Sequence, residues 1–291
     1  MVSLVDLPRS TYYYQYSSKH QEIAIRREKQ LEVDYRLIRS VLNSNPYYGH
    51  RRISYHCKVF FKLNINHKRV QKIKYIYNLQ TRYRRKSSTP RDVKLADAAS
   101  LGITNRVKEL LPSYPNHIWS SDFTYLNFKG EWYYLSTMKD NYTKEILAWS
   151  ISANHNTDLI SSTLNKAITT FGTPLFHHSD QGSEYRAASY RFILSNSGIV
   201  ISMSAKGRPT ENGYQEGYYS YFKLELGNPN KYHNYQELVL AIGKQIYYYN
   251  YNRIHSVIKT TPNLYRKQYY NNPNNQHQNK QNEFDKSNSV N

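Results

Sequence analysis

Three acidic side chains stand where acids are costly unless something compensates them. Asp122 lies in the middle of IWSSDFTYL, a run that reads as a strand. Asp180 follows PLFHH, a short apolar run of the same kind, and Glu216 lies in YQEGYYSYFKLEL, which reads as a helix. Carboxylates are hard oxygen donors. Three of them brought together can hold two divalent cations roughly 3.5–4 Å apart, the arrangement that drives in-line attack on a phosphodiester. Taken singly, Asp180 before Gln181-Gly182 reads as easily as a turn residue, and Glu216 as a solvated helix residue. Their joint placement with Asp122 favours metal-dependent chemistry on DNA. Of the competing acids, Asp140 reads as a strand-end turn residue and Glu225 as a surface residue of the Glu216 helix. Glu184 and Glu211 are expected to support the ligands from behind. His178 is expected to orient a phosphate or a carboxylate, with a packed histidine as the alternative. Lys206 and Arg208, in the loop before the Glu216 helix, are expected to grip the DNA backbone.

The elements that must position these groups follow from the patterning. IWSSDFTYL, WYYLSTMKD and ILAWSIS, separated by NFKGE and NYTKE, read as an antiparallel meander of three strands. Thr157-Asp158 starts an amphipathic helix that ends near Phe171 and buries Leu159, Ile160, Leu164 and Ile168. PLFHHSD is a short buried strand, Tyr190–Ser197 a helix closed by Gly198, IVISMS a further strand and Glu211–Leu226 a helix. Another helix begins at Asn234, with Glu237 as its capping-box partner. The order predicts a mixed α/β sheet with helices on its faces. Asp122 is then on the first strand, Asp180 after the fourth and Glu216 on a later helix, converging at one edge.

Ahead of this lies a different composition. Lys and Arg number 40 against 21 acids, a net charge of +19, and residues 1–110 hold 23 of those bases and 8 of the acids. Such a front part favours a polyanion partner, nucleic acid above all. The opening MVSLVDLPRSTYYYQ reads as a short helix followed by a helix start at Ser10-Thr11, and Ser18–Leu42 as an amphipathic basic helix. A helix from Arg51 through Phe60, a break over Leu63–Asn66 and a second helix over His67–Tyr77 capped by Asn66 look like a helix-turn-helix. Arg51, Arg52, Lys68, Arg69 and Lys72 are the candidate phosphate contacts, some of them simply the solvated face. The expected organisation is a DNA-binding region over residues 1–80, a basic linker over 81–115, a catalytic core over 116–270 and a disordered polar tail over 271–291. One cysteine, Cys57, excludes internal disulfides and a zinc site of several thiolates, despite His50, His56 and His67 nearby. No long apolar run predicts a membrane span or a signal core. A cytoplasmic protein of bacterial origin, on the nucleoid when bound to DNA, is the expectation.

IWSSDFTYL, WYYLSTMKDNYTKEILAWSIS, HSDQGSEY, SMSAKGRPTENGYQE and YNYNRIHSVIKTTPNLY resemble, in order and spacing, the catalytic core of retroviral integrases. More narrowly they look like the second-frame transposases of the bacterial IS-three insertion sequences. YGHRRI and NHKRVQKI are similar to that family's helix-turn-helix segment. The resemblance implies a ribonuclease-H-like α/β fold, a mixed five-stranded sheet with flanking helices, preceded by an all-α helix-turn-helix region. It implies a triad of Asp122, Asp180 and Glu216 with two Mg²⁺ or Mn²⁺ ions. It also implies cleavage at insertion-sequence ends followed by 3′-OH strand transfer. Asn250, Arg253 and His255 fit the family's YNxxRxH pattern, which favours DNA contact over bracing of the last helix. Glu211 stands where the family usually has Asp, and Gly217 where Ser is common. The implied partners are transposon-end and target DNA, further copies of the chain on that DNA, and the first-frame protein joined by programmed frameshifting; no membrane is implied.

Two readings compete. A catalytically inactive, DNA-binding relative would regulate transposition through its basic front part, and a plain ribonuclease-H-like nuclease would only hydrolyse. A tyrosine recombinase would need a basic cluster around one nucleophilic Tyr, and none of the 31 tyrosines has one that is recognisable.

Overall fold

The computed structural model describes residues 10, 17–82, 103–204 and 213–275, without the side chains of residues 213–216. The chain divides into two compact units after Arg85. The helix starts expected before Ser17, the basic linker around residue 90 and the polar tail beyond residue 275 lie outside the described residues.

The first unit is built from α1 (Ser18–Ser44), α2 (His50–Phe60) and α3 (His67–Ile76). Ser17 caps α1 by accepting from the His20 amide, and Asn66 caps α3 by accepting from Lys68. Only the C-terminal half of α1 packs: Ile38, Val41 and Leu42 are buried, with Ile53 and Cys57 of α2 and Val70 and Ile73 of α3. Each such side chain contributes on the order of 1.5–3 kcal/mol by leaving water. Burial also pushes the Cys57 thiol up to about 11, so it stays a protonated core residue. The α2–α3 break is fixed by Ser54, whose hydroxyl donates to the Ile65 carbonyl at 2.6 Å.

The second unit is a five-stranded sheet of β1 (Ile118–Phe128), β2 (Glu131–Asp140), β3 (Ile146–Ser152), β4 (Phe176–Ser179) and β5 (Val200–Met203), in the order β3-β2-β1-β4-β5. β1, β2 and β3 form an antiparallel meander, whereas β4 and β5 run parallel to β1. The crossover from β3 to β4 is α4 (Thr157–Phe171), capped by Asn156 and closed by Gly172 at φ 77°. The one from β4 to β5 holds α5 (Ser183–Arg186) and α6 (Ala188–Asn196). This is the ribonuclease-H-like arrangement.

One face of the sheet packs on α4 and α6 around Trp119, Met138, Ile160, Leu164 and Tyr190. The other packs on α7 (Gly213–Leu226) and α8 (Tyr235–Tyr251) around Leu135, Tyr219, Phe222, Leu238 and Ile242. A last helix, α9 (Pro262–Asn271), was not read from the pattern, although Thr261 as cap and Pro262 at its first turn are ordinary start signals. Its buried Arg266 reaches Glu145 at 2.6 Å and Asp140 at 3.2 Å. Asp140 is the strand-end turn residue expected, accepting from the Tyr142 and Thr143 amides.

His177 on β4 is fully buried, with its Nε2 3.0 Å from the Tyr190 hydroxyl. Burial, with His178 beside it, pulls its pKa down from 6.5 to about 3. The folded chain therefore holds it neutral where the unfolded chain takes up a proton. That stability is present above pH 6.5 and lost as the pH falls towards 3, about 2 kcal/mol of it by pH 5. His177→Gln should narrow the difference in Tm between pH 7 and pH 5, read by thermal denaturation at both; an unchanged difference would show that other groups govern the acid loss.

Candidate active site

β1 and β4 pair for only three residues, Ile118↔Phe176, Trp119↔His177 and Ser120↔His178. Two steps beyond the last pair stand Asp122 on β1 and Asp180 at the end of β4, so the same register sets the two acids side by side. Neighbouring strands lie about 4.8 Å apart. Beyond this point β4 stops and β1 continues, which opens the sheet where the acids stand. The Asp122 carboxylate accepts from the Phe123 amide at 2.8 Å, and that of Asp180 from the Gly182 amide at 3.0 Å.

Tyr185 lies within electrostatic reach of both acids. Its buried hydroxyl lies 3.0 Å from Ser121 Oγ. Burial raises its pKa far above the usual phenol range, and both Asp122 and Asp180 push it further in that direction. Burial raises Asp180 as well, with Glu184 adding to the rise and the Gly182 amide and His155 opposing it. Glu184 is buried on α5, 3.0 Å from Nδ1 of His155. Gly182 lets the two carboxylates close in on the turn: a Cβ there would stand 2.9 Å from Glu184 Oε2 and 3.1 Å from Asp180 Oδ1, so one carboxylate would have to shift.

α7 is pinned to the site by Tyr219. Its hydroxyl donates to the Asp122 carbonyl at 2.7 Å and lies 2.7 Å from Thr137 Oγ1. Glu216 occupies the same helix three residues earlier, about 4.5 Å along the axis. Its side chain lies outside the described residues, as do Lys206, Arg208 and Glu211. A Cβ at Gly217 would meet nothing within 4 Å, so the glycine in place of serine answers no steric demand.

The donor set suits a hard divalent cation: paired carboxylates, one raised by burial and a neighbouring acid, a deficit that positive charge relieves. Among the described residues no three His, Cys, Asp or Glu side chains form a metal-holding group by themselves. Asp122 and Asp180 are two of the three expected donors, and the side chain of the third, Glu216, lies outside the described residues. Tyr185, Tyr219, His155 and Gly182 were not singled out from the sequence. Gly182 was legible only as a turn, and nothing in the spacing links Tyr219 to Asp122.

The description Integrase core domain fits residues 112–209 and again residues 197–262. The chain is 32% identical over 218 residues to the transposase of insertion sequence element IS904 from Lactococcus lactis, covering 72% of this chain and 83% of that one. It belongs to the insertion-sequence transposases with an integrase core. It is also 29% identical to the putative transposase InsK of insertion sequence element IS150 from Escherichia coli, over 93% of both chains. The HTLV-2 integrase catalytic core domain in complex with magnesium superposes with a TM-score of 0.45 and 22% identity, over 53% of this chain and 97% of that one.

In this transposase several expected contacts turn out to be braces. Arg253, 2% exposed, donates to Glu225 at 2.8 Å and lies over the Tyr221 ring. Glu225 is therefore not a surface residue: it is buried, and it also accepts from Gln245. Asn250 is buried and clamps both the amide and the carbonyl of Ile146, at 2.9 and 2.8 Å. Burial on these partners removes Asn250 and Arg253 from the surface that DNA would touch. His255 shapes the following turn by accepting from the Val257 amide and pairing its own amide with Thr260. His178 sits in the sheet, with Nδ1 3.0 Å from Ser202 of β5.

In the first unit Arg69 is ion-paired with the buried Asp34 of α1. Lys68, Lys72 and Arg51 are exposed, and Arg52 is half-buried. Arg253→Ala strands the Glu225 carboxylate in the core and is expected to cost about 3–5 kcal/mol. Chemical denaturation checks the loss, and DNA affinity per folded molecule should stay within about two-fold, because the side chain touches no solvent-facing surface. A large fall in affinity with unchanged stability would restore it as a DNA contact.

Proposed function

We propose that this transposase cuts DNA at the ends of its element and joins the exposed strand to a target, with two divalent metal ions held by Asp122, Asp180 and Glu216. The observation that carries this reading is the β1–β4 register, which aligns Asp122 with Asp180 where the sheet opens. Tyr219 supports it by tying the Glu216 helix to the backbone of Asp122. Mg²⁺ or Mn²⁺, when bound, supplies activation of the attacking oxygen and stabilisation of the leaving one.

The chain's own groups hold and orient. Asp122 presents its oxygens from β1 and Asp180 from the residue just past β4, so their separation follows from the sheet register and from the Gly182 turn that holds the Asp180 carboxylate. Tyr185 stays protonated near them, since burial and both carboxylates oppose its ionisation, and its hydroxyl is held on Ser121, the neighbour of Asp122. Glu184, held by His155, is the group that supports Asp180 from behind. In the first reaction water displaces a 3′ oxygen at the element end. In the second that 3′-OH attacks another phosphodiester, forming one P–O bond as another breaks. The isoenergetic exchange needs no covalent link to the protein.

DNA is the partner that fits the charge of +19. Arg51, Lys68 and Lys72 offer backbone contacts on the helical unit, where α2 and α3 serve as the helix-turn-helix. Arg52 and the outer face of Arg69 lie beside them, while Lys206 and Arg208 precede the Glu216 helix. Several copies acting together on DNA, and fusion to a first-frame protein, complete the reading.

Labelled element-end DNA with Mn²⁺ tests it. Joined product is expected from the wild-type chain or its first-frame fusion, and Asp122→Asn and Glu216→Gln should each reduce it by roughly a hundred-fold or more, with DNA affinity held within about two-fold. Wild-type levels of joining by either variant would remove that residue from the site. Binding without joining in every form would favour the inactive, regulatory relative.

A further inference from the structure

The far end of the sheet carries a surface that the carboxylate site leaves unused. Tyr125 lies directly opposite Tyr134, Asn127 opposite Trp132 and Phe123 opposite Ser136, so these side chains share one face. α4 covers the near half of that face, where Ile160, Leu164 and Ala167 pack on Met138 and Ala148. β1 and β2 run on past the helix. A sheet face that meets water is ordinarily polar. Here it is aromatic: Tyr125 is 56% and Trp132 52% exposed, with ring centroids 5.3 Å apart.

This platform leads back to the acids. Phe123 and Tyr134 lie 4.1 and 4.8 Å from the His155 ring, and His155 is the partner of Glu184 beside Asp180. At its rim the Lys223 ammonium stands 4.5 Å from the centroid of Tyr125. Aromatic rings interleaved with an ammonium are the elements of a site for unpaired nucleotides: every base has a π-face to stack, and phosphates follow the positive charge.

We propose that this face binds single-stranded DNA, with bases stacked on Tyr125 and Trp132 and the backbone passing Lys223 towards the carboxylates. It takes from the transposase reading only that the ligand is DNA. Strands opened beside a cleavage point lose their stacking partners, and the rings replace them. A protein partner would use the rings equally well, but the ammonium over Tyr125 and the line of contact to Asp180 favour a polyanion.

Binding is measured with the full chain in EDTA, so that no divalent cation and no catalysis enter. The probes are an oligothymidylate of about ten nucleotides and a blunt duplex. Trp119 is buried and Trp149 half-buried, so Trp132 is the tryptophan a stacked base can quench. The oligothymidylate should quench the wild-type fluorescence. Trp132→Phe should remove the quenching and keep the affinity within about three-fold, because the ring still stacks. Trp132→Ala and Tyr125→Ala should each weaken single-strand binding by roughly 10- to 100-fold and duplex binding by less than about two-fold. Unchanged single-strand affinity, or equal loss on duplex, would overturn the assignment. So would a concentration-dependent dimer that Trp132→Ala disperses without altering single-strand affinity, since the face would then belong to a second copy. A failed strand-transfer assay with this pattern intact would count against the metal site alone.

Discussion

The integrase core of this chain depends on a strand pairing that stops early. Three parallel pairs between β1 and β4 are enough to fix the register, and their ending sets Asp122 and Asp180 side by side at an opening in the sheet. Had β4 continued along β1, backbone hydrogen bonds and packed side chains would fill the place where a substrate must enter. The short strand therefore supplies both alignment and access. Tyr219 adds the third support, because its hydroxyl is satisfied by the Asp122 carbonyl and Thr137 in the core, and the helix bearing Glu216 cannot slide without breaking buried hydrogen bonds.

Much of the remaining polar burial keeps that sheet from spreading. β3 is an edge strand, and edges invite unwanted pairing. Asn250 closes part of it with a side-chain amide that copies a neighbouring strand, accepting from and donating to Ile146. Arg266 neutralises Asp140 and Glu145 at the β2–β3 turn, and Arg253 neutralises Glu225. These pairs add little net stability over apolar residues of the same shape. Losing one partner is expensive, so they act as locks that tolerate no single replacement.

The strands and helices of the core were legible because their periodicity is strong and their caps are explicit, as at Asn66 and Asn234. Asp122 stands out in the sequence because it lies inside a strand-like run, and Asp180 because it closes a short apolar one. What stayed hidden depends on contacts between distant segments. Asn250 and Arg253 are polar, and their pattern in the chain is equally compatible with a DNA surface; only the fold shows that Ile146 and Glu225 consume them. Glu225 reads as a surface acid for the same reason. Tyr219 is one tyrosine among many, and its reach to Asp122 follows from how α7 crosses the sheet, which no local spacing encodes. α9 is hard to read because its pattern is short and polar, and its buried face centres on an arginine between Pro262 and Tyr269.

The alternation of β1 links the carboxylate site to the aromatic face. Asp122 lies opposite Thr137, whose hydroxyl meets Tyr219, so the acid belongs to the α7 side of the sheet. Phe123 and Tyr125, one and three residues on, belong to the other side. One strand thus carries a carboxylate on one face and a row of rings on the opposite face, and a slip of one residue would exchange them. The register is held at two further points: by the Asn141 amide on the Ile118 carbonyl and by Tyr219 on the Asp122 carbonyl. Such redundancy is more than the packing of an apolar core needs. It is what a strand needs when both of its faces must be presented in a fixed relation to one another.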